Sequence, residues 1–220
     1  MDLAPVWLSL KLATATTLVL LVAGTPVAWW LAHTRSRWKP FVEATVALPL
    51  VLPPTVLGFY LLTALGPAGM LGSLWSAVGG APLVFTFTGL VIGSVVFSLP
   101  FAIQPIQTAF ESMGPRPMEV AATLRARPID RFLTIGLPLA RRGYITAATL
   151  AFAHTIGEFG VVLMIGGNIR GRTEVLSIAI YNAVERLDYG QAHLMAAGML
   201  LFAFAILAFI FLLNRRWHLR

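Results

Sequence analysis

Apolar residues run along this chain in blocks too long for a soluble core, separated by short polar joints. Five blocks reach the roughly 20 apolar residues that a helix needs to cross the hydrocarbon of a bilayer. They cover about 6–32, 41–65, 83–109, 144–165 and 194–213. Lipid offers the backbone no hydrogen-bond partners, so each block is predicted to be helical. The fold expected is an all-α integral membrane protein with about five transmembrane helices in one transmembrane domain, residues 1–220.

The joints differ in charge. The first holds Arg35, Arg37 and Lys39, and the third holds Arg116, Arg125, Arg127, Arg131, Arg141 and Arg142. Arg215, Arg216 and Arg220 follow the last block, whereas the remaining joints carry only Arg170, Arg172 and Arg186. Basic residues collect on the cytoplasmic side. The N-terminus is therefore expected outside and the C-terminus in the cytoplasm, as five crossings require. Residues 66–82 read as a neutral, glycine-rich outer loop. In "TEVLSIAIYNAVER", Leu176, Ile180, Ala183, Val184 and Leu187 recur at helical spacing. Thr173 is the predicted N-cap of a short amphipathic helix at the outer interface.

Prolines punctuate two blocks. Pro49, Pro53 and Pro54 stand in the second; Pro100 and Pro105, with Gln104 and Gln107 nearby, stand in the third. Each deletes a backbone donor, and the freed carbonyls must be rescued by neighbours or line a wet cavity. Packing kinks and broken helices beside a pathway both remain open. Small or hydrogen-bonding residues that could line such a pathway are Thr55, Gly58, Ser94, Ser98 and Gln104, alongside Pro53 and Pro54; helix packing is the competing role for each.

Composition agrees with the pattern. Hydrophobic residues make up 58% and charged residues 11% of the chain, with a mean hydropathy of +0.81; soluble domains carry about a quarter charged residues. The net charge of +7 could suggest nucleic acid, but the placement of the arginines explains it by topology. The chain has no cysteine, which excludes disulfides and thiolate chemistry. Its start is acidic and its first apolar block runs on towards Arg35, so a retained helix is expected rather than a cleaved signal. Trp29, Trp30, Trp38 and Trp217 suit interface belts, and His33, His193 and His218 suit headgroup level.

Candidate chemistry is sparse. A P-loop needs its lysine after a glycine; Lys11 and Lys39 follow Leu10 and Trp38. Glu158 lies about 14 residues into the fourth block, roughly 21 Å along it. His154 precedes it by one helical turn. A gate or proton-linked site is one reading. The plainer one is a carboxylate accepting hydrogen bonds from helix ends, because an anion pathway disfavours a bare carboxylate. A zinc pair lacks the HExxH pattern and a third ligand, so no metal site is expected.

The third joint, residues 110–143, is long enough to be structured. Pro117 suits the start of a helix and Glu119 its positive end. Val120, Ala121 and Leu124 are placed on one face. A turn at 125–128 follows, and Pro128 opens a second helix that presents Phe132, Leu133 and Ile135 and ends at Pro138. A cytoplasmic helix–turn–helix knob results.

This stretch, "EVAATLRARPIDRFLTIGLP", resembles the EAA loop of permease subunits of binding-protein-dependent ABC importers. That pattern is Glu-Ala-Ala, three residues, Gly, nine residues, Ile, one residue, Leu-Pro. Glu119, Val120, Ala121, Arg125, Ile135, Leu137 and Pro138 fall at its spacing. Val120 replaces the second residue's usual Ala, and Arg125 replaces Gly. "LPLVLPPTVLGFYLL" and "AFAHTIGEFGVVLMIGGNIRGRTEVLSIAIYNAVE" resemble segments of molybdate-importer permeases, extending the likeness over nearly the whole chain. Gly157, Glu158, Gly160 and the turn beginning at Asn168 are also shared with sulfate permeases.

The resemblance implies a multi-pass permease of a bacterial or archaeal cytoplasmic membrane, without enzymatic activity or a cofactor of its own. ATP and magnesium would be bound by a partner ATPase. The implied partners are a second copy of the chain, two ATP-binding subunits docked on the knobs, and a periplasmic or surface-anchored oxyanion-binding protein. Molybdate or tungstate would be moved by alternating access; sulfate is the alternative in the same family. Arg125 at the glycine position implies either a direct ATPase contact or a turn that does not need positive φ. Two readings from other classes are a membrane-embedded enzyme using His154, Glu158 and Asp188, and a non-transporting scaffold.

Overall fold

Helix α1 runs unbroken from Ala4 to His33, as its uninterrupted apolar block dictates. The computed structural model describes residues 3–218, without the side chains of 209–211 and 213–218. Arg220 and the side chains of Arg215, Arg216, Trp217 and His218, used above, therefore lie outside the described part. Every described element is helical, and the described residues contain no strand.

The second predicted span is not one helix. It comprises α2 (Lys39–Ala47), a 3-10 turn over Leu48–Leu50 and α3 (Pro54–Leu65). Pro53 is extended, with φ −55° and ψ 135°. Two successive prolines remove two donors from the helical ladder, which breaks the chain here. The supposed loop after it contains α4 (Met70–Ala77), and Pro54–Ala77 together is long and apolar enough to cross a membrane.

Helix α5 (Phe87–Met113) passes through Pro100 and Pro105 without interruption, so of the two readings left open for these prolines the broken helix does not hold in the third span. It is held on both sides by α1 and by α9 (Arg141–Gly157). Ala28, Ala102, Ala147 and Ala151 are wholly buried where the three helices meet; small side chains let membrane helices approach closely. Gly143 serves the same end, since a Cβ there would lie 2.7 Å from the Pro105 carbonyl oxygen.

The predicted continuous fourth span is instead bent by 62° between α9 and α10 (Gly160–Gly166). Helix α11 (Leu176–Glu185) is the expected short helix, but its N-cap is Val175. The Thr173 hydroxyl instead donates to the Gly166 carbonyl at 2.7 Å and accepts from the Ile169 amide at 2.9 Å. Its buried positions are Leu176, Ile178, Ala179 and Ala183, while Val184 and Leu187 are exposed. Helix α12 (Tyr189–His218) starts earlier than the apolar block suggested, because Asp188 caps it by accepting from the Gln191 amide.

Among the described residues four helices are long and apolar enough to cross a membrane, or five if the bent pair is one span. Trp7, Val22, Val51 and Leu200 point outward with more than half their surface exposed. An apolar exterior of this extent suits lipid or protein contact and not water.

Candidate functional site

The knob lies between α5 and α9. It contains α6 (Arg116–Thr123), α7 (Pro128–Arg131), a π-helical turn over Phe132–Gly136 and α8 (Leu137–Leu139). Pro117 and Pro128 open their helices as expected, and Glu119 lies in the first turn of α6. Val120 and Leu124 are exposed whereas Ala121 is 5% exposed, so the three do not share one environment. Ala121 forms the inner side of α6, and Val120 and Leu124 are presented outward with Arg125.

Pro138 does not end the second knob helix. The Leu137 amide donates to the Phe132 carbonyl, and this wider turn carries the helix on to Leu139. The path turns at Ala140, where ψ is 2°. Ile135 and Leu137 are half-buried and Pro138 is exposed. Gly136 is buried beneath α1: a Cβ there would lie 2.7 Å from Met118 Cε and 3.3 Å from the Trp29 ring.

Arg125 has φ +58°. Its amide donates to the Ala122 carbonyl at 3.0 Å, and the Ala126 amide donates to the Ala121 carbonyl at 3.2 Å. These two bonds form a Schellman closure, whose left-handed position usually carries glycine. The turn does need positive φ, which removes one of the two sequence alternatives for Arg125.

Trp29 anchors the knob to the helices. Its ring stands edge-on to Phe110 of α5 at 4.8 Å and to Phe132 of the knob at 5.1 Å. Trp29 is therefore part of an aromatic joint and not a free interface belt; Trp30 and Trp38 are exposed. Sequence spacing on α1 gave no signal for this joint, because its partners come from two other elements.

A second constellation forms where the two broken spans touch. A Cβ on Gly160 would lie 2.7 Å from Pro54 Cβ, and one on Gly58 would lie 2.9 Å from Met164 Cβ. Both glycines thus let α3 and α10 cross closely. Glu158 is 4% exposed. Its Oε1 accepts from the Val161 amide at 2.7 Å and its Oε2 from the Val162 amide at 2.9 Å. It caps α10, satisfying amides that the break at Gly157–Phe159 leaves without helical partners. Ser177 of α11 donates to the Glu158 carbonyl at 2.6 Å. Asn168, with φ +55°, exchanges paired amide hydrogen bonds with Asn182.

His154 stacks on Phe101 at 4.0 Å, and its Nδ1 lies 2.9 Å from Ser98 Oγ. Thr155 gives its only hydroxyl proton to the Ala151 carbonyl at 2.8 Å. Ser98 Oγ, 3.2 Å away, must therefore donate to Thr155 and accept from His154 Nδ1–H. This network assigns the imidazole's proton to Nδ1 in its neutral form.

The pathway candidates separate into two groups. Pro53, Pro54, Thr55 and Gln104 are exposed on the chain, whereas Gly58, Ser94 and Ser98 are buried in helix packing. The sequence reading passed over Glu43, a second carboxylate inside a predicted span. It accepts from Gln107 Nε2 at 2.8 Å, and Lys39 bridges to Glu111 at 3.2 Å. These bonds tie α2 to α5. Lys39 and Glu43 at i,i+4 were the available signal. Asp188 is engaged as the α12 cap, and among the described residues no group of three or more His, Cys, Asp or Glu could hold a metal ion.

Residues 24–218 match the family described as binding-protein-dependent transport system inner membrane component. The chain belongs to this family. It is a transport-system membrane component and not an enzyme, and it works with a binding protein. The molybdenum transport system permease protein ModB of Azotobacter vinelandii is 60% identical over 206 residues, which is 94% of this chain and 91% of that one. ModB of Escherichia coli (strain K12) is 34% identical over 180 residues, or 82% and 79%. A probable sulfate transport system permease protein, cysT of Chlorella vulgaris, is 32% identical over 92% of this chain and 76% of its own length. In fold, the chain is similar to a solved bacterial alginate ABC transporter in complex with an alginate pentasaccharide-bound periplasmic protein. The TM-score is 0.76, with 18% identity over 97% of this chain and 78% of that one. The position that the resemblance to the EAA loop assigns to glycine is the one at which this chain places Arg125 in a left-handed conformation.

Proposed function

We propose that the chain is the permease subunit of a molybdate importer, tungstate being an equivalent cargo. The observation that carries the reading is the 60% identity to a molybdenum permease over nearly the full length of both chains. The lower identity to the sulfate permease makes sulfate the weaker alternative.

In this reading two copies pair around a central pathway in a bacterial or archaeal cytoplasmic membrane, N-termini outside. Two ATP-binding subunits, which bind ATP and magnesium, dock on the knobs through Glu119, Val120, Leu124 and Arg125. A periplasmic or surface-anchored binding protein delivers the oxyanion. The knob sits on the aromatic joint at Trp29, Phe110 and Phe132, so a displacement of α6 reaches α1 and α5 through packed rings. ATP binding draws the knobs together and opens the pathway outward; hydrolysis restores the inward-facing state. Exposed Pro53, Pro54, Thr55 and Gln104 are the pathway-wall candidates on the paired face.

Reconstitution with the ATPase and binding protein in proteoliposomes tests this. ATP-dependent uptake of labelled molybdate that excess tungstate suppresses and excess sulfate leaves intact is the expected result. Sulfate uptake in preference to molybdate, or failure to co-purify with any ATPase, refutes it.

A further inference from the structure

At the knob end of α1 a groove of about 570 Å³ runs between Val22, Pro26 and Trp29 on one side and Ile129, Arg131 and Phe132 on the other. His33 also lines it. Val22 to His33 spans roughly 16 Å of helix at 1.5 Å per residue. The groove therefore extends from well inside an apolar span to that span's polar end, where Arg35 and Arg37 follow. Its walls are mainly apolar, and Val22 and Ile129 are 76% and 63% exposed.

Arg131 is the charged residue lining this groove, and no carboxylate lines it. Arg131 Nη1 reaches the Met118 carbonyl only at 3.4 Å, and its Nε is shut off from solvent without an acceptor among the described residues. The ion pairs found among those residues involve Lys39 and not Arg131. The Arg131 Nε is out of a ligand's reach, and it is the Nη end of the guanidinium, held only by the long bond to Met118, that an anion in the groove would meet. His33 Nδ1–H donates to the Trp29 carbonyl at 2.9 Å, so its imidazole is engaged within α1 and Arg131 is the anion-binding group of the groove.

A free phosphate would satisfy Arg131 but leave the apolar wall uncovered. A molecule with an anionic head at the polar end and a hydrocarbon tail running into the span covers both. We propose that this groove binds one anionic phospholipid of the knob-side leaflet, with its phosphate on the Arg131 guanidinium and an acyl chain along Val22, Pro26 and Ile129. Basic side chains at the membrane surface favour such headgroups. The lipid would bridge α1 to the knob, so leaflet composition would bear on how firmly the knob is held. The proposal does not depend on which anion is transported.

The test uses the assembled complex of permease, ATPase and binding protein in phosphatidylcholine nanodiscs, titrated with phosphatidylglycerol and read by native mass spectrometry. One tightly retained phosphatidylglycerol per permease chain is expected. Arg131→Gln should weaken that retention about tenfold, as loss of one charge-assisted contact implies. Arg131→Lys should keep most of it, and Arg127→Gln, on the exposed knob surface, should leave it unchanged. Val22→Trp fills the groove while keeping the charge and should also block retention, which covers the case in which Arg131→Gln fails to assemble. Equal retention in wild type, Arg131→Gln and Val22→Trp overturns the proposal. So does equal retention of phosphatidylcholine, displacement by inorganic phosphate alone, or loss of the lipid once the ATPase subunits bind.

Discussion

The amide of Ala126 donates to the carbonyl of Ala121 at 3.2 Å, and this bond closes α6 around an arginine held at positive φ. A side chain in the left-handed region costs about 1–2 kcal/mol relative to the right-handed one, a penalty glycine does not carry. Arg125→Gly should therefore stabilise the knob by about 1 kcal/mol, provided Arg125 makes no contact with the ATPase that outweighs it. Hydrogen exchange at the Arg125 and Ala126 amides reports the closure directly; transport should be retained. Faster exchange in the glycine variant would show that the arginine side chain, and not the backbone geometry, holds this turn.

Ala121 faces inward, where α6 meets α7 and the π turn. A carboxylate there would be taken from water without a partner, at a cost of several kcal/mol. Ala121→Glu should displace α6 and separate ATP hydrolysis from uptake, while Ala121→Ser should behave as wild type. The ratio of ATP hydrolysed to molybdate imported measures the effect. Normal coupling in the glutamate variant would remove Ala121 from the docking knob's framework.

Glu158 uses both carboxylate oxygens to cap α10. Glutamine offers only one acceptor oxygen, so Glu158→Gln should lose one of the two bonds and about 1–3 kcal/mol of stability. Thermal unfolding in detergent should show the loss, with uptake per assembled complex close to wild type. A fully assembled, thermally normal complex that transports nothing would instead make Glu158 part of the gate.

Much of this architecture was legible in the chain. Span length is a property of a contiguous segment, and a bilayer imposes helix on any apolar block of sufficient length. The helix starts of the knob were equally readable, since Pro117, Pro128 and Glu119 act on their own local backbone. Proline was a weaker guide. Pro53 and Pro54 break their span, whereas Pro100 and Pro105 sit within α5, which neighbours support on two sides. The 62° bend between α9 and α10 occurs at Glu158, in a segment with no proline at all.

The sequence alone determined how many apolar segments must be buried in lipid or protein, and where their basic ends lie, because both follow from solvation of one segment at a time. It also determined the spacing of the knob. Tertiary structure decided which signals were used. The bend at Glu158 exists because a carboxylate caps α10 and Gly160 admits Pro54. Positive φ at Arg125 follows from a closure between residues five apart, and the joint at Trp29 needs rings from three elements. The contact of Gly160 with Pro54 and the joint at Trp29 depend on groups meeting across the fold, and no single segment carries the energy that selects them. The Arg125 closure and the Glu158 cap are local bonds that the residue types there did not announce.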